Sequence, residues 1–202
     1  TSYVYEGDKS FSLEHIRQEY PVYGTTDYRH SAIEILQKNG SRISDFKYNG
    51  YEIVPGKPKL QGLPAIYAES EEEAMTLRIF LKDSLTGVVV ELLYTIFSEY
   101  GAIARSVRIK NTGEMPVHLL TAMSLNLDLP DKDYVWMQLS GAWARERHVK
   151  MRTLEQGITA IDSMRGNSSH EQNPFMVLKR KNTDESMGEA IGFSFIYSGN
   201  FR

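Results

Sequence analysis

Five histidines, His15, His30, His118, His148 and His170, are the side chains best suited to moving a proton or holding a metal near neutral pH. No two stand four apart, the spacing that brings two imidazoles to one helix face for zinc, and the chain has no cysteine to add a thiolate. No metal site is expected. Ser168, His170 and Glu171 in SSHEQNP are the residue types of a nucleophile, a base and an orienting acid, but residues so close along a chain rarely converge in a triad. A turn fixed by hydroxyl and amide hydrogen bonds is the stronger reading of that run. The basic run Arg145, Arg147, His148, Lys150 and Arg152 offers a face for an anion or for RNA. On a strand, alternation would put Arg145 and Arg147 on the side of Trp143, as a packed or interfacial Arg/Trp ladder.

Charge decides between those last two. The chain of 202 residues carries 23 basic and 26 acidic side chains, a net charge of −3, so counterion release supplies little affinity for nucleic acid. A 41% hydrophobic share supports a real core. The absence of cysteine excludes a disulfide framework and suits a reducing, cytoplasmic setting. The longest apolar run, GVVVELLYTIF, is interrupted by Glu91 and is too short to span a bilayer, so no membrane partner is expected. Thr1 opens the chain without methionine and Arg202 directly follows the strand-like AIGFSFIYSGNF, which suggests a fragment cut from a longer protein.

The elements that would position these residues are strands. Leu77, Ile79 and Leu81 alternate with Arg78, Phe80 and Lys82, the period of a half-buried strand, and DSLTG turns the chain into GVVVELLYTIF. ARSVRIKN and VHLLTAMSLNLDL form the next pair, parted by NTGEMP, with Met123, Leu125, Leu127 and Leu129 opposite Ser124, Asn126 and Asp128. YVWMQLSGAW, the run through Val149, GITAIDS, FMVLK and AIGFSFIYS add more strands. Near the start, Ile33 to Leu36 is a short strand, and the turn KNGS, Lys38 to Ser41, joins it in a hairpin to Ile43 to Lys47. Val54 to Pro64, with three prolines, is an irregular crossing loop. Helix signals are few: SLEHIRQEY ends at Pro21, and ESEEEAMTL has Ser70 and Glu73 at capping-box spacing but is brief. The expected fold is therefore all-β, an antiparallel β-sandwich with few short helices, in one domain over residues 1–202.

Between Leu139 and Phe175 the chain packs charged, aromatic and turn-forming residues too densely for core filling alone. Its blocks LSGAWARERHV and RGNSSHEQNPF, together with QEYPVYGTTDYR (Gln18 to Arg29) and YSGNF (Tyr197 to Phe201), resemble the N-terminal β-domain of bacterial α-galactosidases of glycoside hydrolase family 36. The resemblance implies a β-supersandwich packed against the enzyme's own catalytic (β/α)₈ barrel, without a cofactor. It also implies a role in assembling a homo-oligomer, in some members a tetramer, and in bordering a neighbouring subunit's active site, with α-galactoside sugars such as melibiose and raffinose as substrates.

Retaining glycoside hydrolysis needs two carboxyl groups about 5 Å apart, a nucleophile and an acid/base. In the family the nucleophile sits in a Lys-Trp-Asp motif of the barrel, and here Trp136 and Trp143 follow Val135 and Ala142 instead. By resemblance, then, neither catalytic carboxylate belongs to this chain, and the fragment is expected to be inactive alone. The same resemblance points to GTTDYR as the sugar contact, with Asp27 accepting hydrogen bonds from sugar hydroxyls and Arg29 donating them or holding Asp27 in place. A plain surface turn with a local Asp/Arg ion pair is the competing reading. Trp143 is either a stacking platform for a sugar or a core or interface tryptophan. A free-standing carbohydrate-binding module and a purely structural oligomerisation domain are the alternatives to the enzyme-domain reading.

Overall fold

The computed structural model describes residues 17–25, 29–62, 64–197 and 199–202. The described chain is all-β and antiparallel, as the alternation predicts. Its strands are β1 (Ile33–Leu36), β2 (Phe46–Pro55), β3 (Met75–Asp83), β4 (Val88–Phe97), β5 (Ala102–Asn111), β6 (His118–Ala122), β7 (Val135–Ala142), β8 (Arg145–Thr153), β9 (Gln172–Lys179) and β10 (Ala190–Ser194). One 3₁₀ turn, Ser98–Tyr100, is the helical element among the described residues. The chain falls into two compact units. The first runs to Lys59 and resumes over Tyr67–Asp128, and the second comprises Leu60–Ile66 and Leu129–Arg202.

In the first unit β2, β3, β4 and β5 form a meander in that order, and β1 pairs with β6 in a second, two-stranded sheet. Ile33 and Ile35 of β1 share one apolar cluster with Val88, Val90 and Leu92 of β4, so the two sheets face each other across it. Each of those five side chains is essentially out of water, worth about 1.5–3 kcal/mol apiece. The opposite face of β4 is covered as well, with Leu93, Thr95 and Phe97 buried, which is why this strand reads as a nearly continuous apolar run. The buried hydroxyls are satisfied: Thr76 Oγ1 donates to the Gly56 carbonyl at 2.7 Å and lies 2.8 Å from Thr95 Oγ1. The β3–β4 turn is fixed by Asp83, whose carboxylate accepts from the Leu85 N–H and from Thr86 Oγ1, both at 2.9 Å. Gly87 closes it at φ 74°, where a Cβ would lie 2.6 Å from the Gly113 backbone.

In the second unit the sheet order is β10-β9-β7-β8. Tyr134, Trp136 and Leu178 form its core, packed by Leu129, Leu154, Ile161, Met176 and Phe193. The buried face of β7 also carries Gln138, whose Oε1 accepts from Trp136 Nε1 at 3.1 Å and from Arg152 Nη2. A polar side chain there is tolerated because its acceptor is used twice.

Several pairings differ from the sequence reading. The turn at Lys38–Ser41 forms, with Gly40 at φ 85° and its N–H on the Gln37 carbonyl, but it does not close a hairpin. β1 pairs instead with β6 and the segment after the turn feeds β2, which pairs with β3. Local turn chemistry set the reversal, and burial of Ile33 and Ile35 chose the partner. Likewise β5 pairs with β4 rather than with the strand beyond NTGEMP. That later strand ends at Ala122, so Met123–Asp128 lies outside the strands. GITAIDS contributes a single bridge, Ser163 to Phe201, rather than a strand. The Glu-rich stretch before β3 is a turn in which the Glu69 N–H donates to Glu73 Oε2 at 2.8 Å, not a helix. SLEHIRQEY lies mostly outside the described residues.

Candidate functional site

Residues 26–28 of the family-like GTTDYR block lie outside the described residues, and on either side of them Gln18 and Arg29 are fastened to one carboxylate. Asp128 accepts from Arg29 Nη1 at 2.5 and 2.6 Å and from the Gln18 N–H at 2.9 Å. Two residues earlier, Asn126 Nδ2 donates to the Gln18 carbonyl at 2.6 Å. Between these ends, Thr25 Oγ1 donates to the Val22 carbonyl at 2.9 Å, and the Pro21 carbonyl accepts from the Ala32 N–H at 2.8 Å. Burial pushes the Asp128 carboxyl up, but the hydrogen bonds from Arg29 and Gln18 and the charges of Arg29 and Arg17 outweigh it and hold the group below the usual carboxylate range. Asp128 is thus an ionised staple at neutral pH.

A second fastening lies beneath the first. The Glu19 carboxylate accepts from the Tyr94 hydroxyl and from Arg105 Nη2 at 3.3 Å. Arg105, on β5, has only 8% of its side chain exposed, stacks over the Tyr94 ring and donates through Nη1 to the Leu93 carbonyl at 3.1 Å. Its Nε is buried without a hydrogen-bond partner. Burial pulls this guanidinium below the ordinary arginine value, against the pull of Tyr94, Glu19 and Tyr20 towards the charged form. Tyr20 is buried beside it, donates to the Met123 carbonyl at 2.8 Å and has its phenol pushed up to about 12 by burial.

Of the two residues singled out from the sequence, Arg29 donates to Asp128 and has 20% of its side chain exposed. Asp27 lies outside the described residues. Asp128, Asn126, Glu19 and Arg105 were not picked out in the sequence. Ser124, Asn126 and Asp128 read there as the wet face of a strand, and nothing local tells that their partners sit about a hundred positions upstream. The only signal is an extended apolar/polar alternation carrying side chains that favour turns and caps.

In the second unit the basic run lies on β8, an edge strand exposed along its whole length. Trp143 precedes it with 83% of its surface exposed, so it is not a core tryptophan. Arg145 and Arg147 do not form a regular ladder, because Ala144 and Arg147 have φ of 61° and 54° and the pleat is broken between them. The hairpin interlocks with the SSHEQNP run: the Gly141 N–H donates to the Glu171 carbonyl at 2.8 Å and the Arg147 N–H to the His170 carbonyl at 3.3 Å. That run is a hydroxyl-fixed turn, with Ser169 Oγ accepting from the N–H groups of Glu171 and Gln172 at 3.2 and 3.3 Å. Glu171 is held by Arg165, and His170 lies 3.7 Å from Glu146 rather than on a serine. No triad is assembled there.

Among the described residues, no group of three or more histidines and carboxylates is gathered for a metal. A depression of about 620 Å³ between three turns of the first unit has Lys38 and Glu114 as its charged lining. It holds no carboxylate pair of the kind glycoside hydrolysis requires.

An antiparallel all-β fold of this kind carries many unrelated functions and does not by itself name one. The chain belongs to the glycosyl hydrolase family 36 N-terminal domain family, whose family model matches residues 1–202. It is 50% identical over 194 residues to the alpha-galactosidase AgaA of Geobacillus stearothermophilus, covering 96% of this chain and 27% of that protein. The crystal structure of that enzyme superposes with a TM-score of 0.91 at 49% identity, again over 96% of this chain and 27% of that one. A variant of the same enzyme solved in complex with raffinose matches with a TM-score of 0.90 at 47% identity, over 99% of this chain and 28% of that one. The chain thus spans about a quarter of the length of these relatives.

Proposed function

We propose that this chain is the noncatalytic N-terminal β-domain of an α-galactosidase that removes terminal α-galactosyl groups from sugars such as raffinose and melibiose. The observation that carries the reading is the half-identity to a named α-galactosidase along the whole domain but over only 27% of that enzyme's length. The bond-breaking carboxylates then belong to a catalytic barrel elsewhere in the full-length enzyme, and residues 1–202 form the scaffold beside it. The raffinose complex of the relative supports the substrate class. A cytoplasmic location fits a chain without cysteine.

Within that enzyme the domain supports the barrel and the assembly of a homo-oligomer, a tetramer by the family's habit. The exposed apolar side chains of the β8 region, Trp143, Val149 and Met151, support a contact role. The Gln18–Arg29 segment borders the active site of a neighbouring subunit. Asp27 accepts hydrogen bonds from the sugar there, and Arg29 braces the segment through Asp128. The test compares full-length enzyme with the isolated domain on an aryl α-galactoside. Galactose release by the domain at a rate near that of the whole enzyme would overturn the proposal.

A carbohydrate-binding module is the second reading, favoured by one observation, the open face of Trp143. Calorimetric titration of the domain with galactose, melibiose and raffinose separates the two. Saturation at low millimolar concentration or tighter would promote the module.

A further inference from the structure

We propose that β2 is a self-docking edge: two copies of this chain pair their β2 strands antiparallel about Asn49 and Gly50, joining two four-stranded sheets into one. The interface uses none of the β8 side chains given a contact role above and stands without them.

β2 stands at one end of the order β2-β3-β4-β5, so its outer N–H and carbonyl groups have no ladder partner among the described residues. Its apolar side chains continue the face that carries the core. Tyr48, Tyr51 and Ile53 stand opposite Leu81, Ile79 and Leu77 of β3, which in turn oppose Val90, Leu92 and Tyr94 of β4. Val90 and Leu92 are buried in the cluster with Ile33 and Ile35, yet the three β2 side chains are 64%, 61% and 59% exposed. A core face that runs on into water at an unpaired edge, with two tyrosines on it, has the composition of a contact surface.

A break in β2 selects the occupant. Between Tyr48 and Tyr51 the register shifts, so that Asn49 and Gly50 together oppose Phe80, and Gly50 has φ 104°. An uninterrupted strand would fall out of step on crossing that point. A second β2 running antiparallel carries the same extra residue at the same place, with Asn49 of each copy opposite Gly50 of the other. This register sets Tyr48 against Tyr51 and Phe46 against Ile53 on the apolar face, aromatic and β-branched pairs of the kind that stabilise sheets. On the other face it sets Lys47 against Glu52, twice by the two-fold symmetry. Within one chain Lys47 reaches Asp45 at 3.1 Å and Glu52 reaches Arg78 at 2.6 Å, exposed pairs that are weak and readily shared. Sliding the strands by two residues in either direction loses both the matched break and the opposite charges.

The experiment uses the full-length protein, read by sedimentation velocity over a dilution series and by hydrogen exchange of Phe46–Pro55. Lys47→Glu and Glu52→Lys each set like charges opposite one another. Each variant alone should dissociate at a concentration about ten-fold or more above that of the parent, with faster exchange in Phe46–Pro55. Mixed in equal amounts, the two should regain the parent's association and protection, since every facing pair is then of opposite sign. Arg78 keeps Glu91 at 2.5 Å when Glu52 is changed. Tyr51→Lys, at an exposed side chain, serves should either charge variant fail to fold, and should weaken association by a similar factor. Exchange in β2 that is as fast in the parent as in Tyr51→Lys overturns the proposal, as does a mixture that associates no better than its components. If Trp143→Ala weakens association while none of the β2 variants does, the contact lies at β8 and the β2 interface is wrong. The reverse result leaves the β2 interface standing and removes the contact role of Trp143.

Discussion

The guanidinium carbon of Arg105 lies 3.4 Å from the centroid of the Tyr94 ring, and both side chains converge on the Glu19 carboxylate. A cation taken almost wholly out of water is kept there by a π face, a carbonyl and one acid, which ties β4 and β5 to the segment that precedes Pro21.

Arg105→Lys should therefore be costly although it conserves charge. Lysine has neither the planar face for Tyr94 nor a second nitrogen for Leu93, so a loss of about 1–3 kcal/mol is expected in urea unfolding. A loss below about 0.5 kcal/mol would mean that the stack contributes little.

Stability should fall at both ends of the pH range, for different residues. Asp128 has its folded value held below the ordinary aspartate range, so its contribution is full above about 4 and disappears as pH falls through the folded value. Tyr20 is the reverse case: raised from 10.0 to about 12, it contributes fully below 10.0 and loses that contribution as pH rises through about 12. Asp128→Asn should flatten the acid limb of a stability-against-pH curve and Tyr20→Phe the alkaline limb. Parallel curves for variant and parent would contradict the assignment.

Gly87 is held by geometry on two counts, a left-handed φ of 74° and the Gly113 backbone 2.6 Å from where a Cβ would stand. Gly87→Ala should cost about 2 kcal/mol or more. Ala144→Gly goes the other way, since the residue already sits at φ 61°, and should stabilise by up to about 1 kcal/mol. Thermal melts of the two variants check both signs.

Trp143 separates folding from contact. With 83% of its surface exposed, Trp143→Ala should leave the unfolding midpoint within about 0.5 kcal/mol of the parent. Under the proposed contact role, the same change in the full-length protein should weaken self-association, read by sedimentation velocity. An unfolding shift of several degrees would return the residue to a packing role.

Strand content was legible because runs such as Leu77, Ile79 and Leu81 keep a period of two whatever they pair with. Pairing was not legible. Asn39-Gly40 marks a reversal but says nothing of the burial of Ile33 and Ile35, which sends β1 to β6. The family blocks drew attention to Asp27 and Arg29, and the Arg29 partner stayed hidden because an ion pair 99 residues apart leaves no periodic trace. Trp143 shows the same limit, since a tryptophan inside an apolar-looking strand end reads alike whether it faces the core or the solvent.

The crossing loop after β2 also governs how this protein can be divided. Leu60–Ile66 clusters with Leu129–Arg202, although along the sequence it lies between β2 and β3. A gene truncated after Asp128 leaves that heptapeptide orphaned, and one begun at Leu129 lacks it altogether. A division that follows both units has to move Leu60–Ile66 with Leu129–Arg202, which calls for permuting the chain.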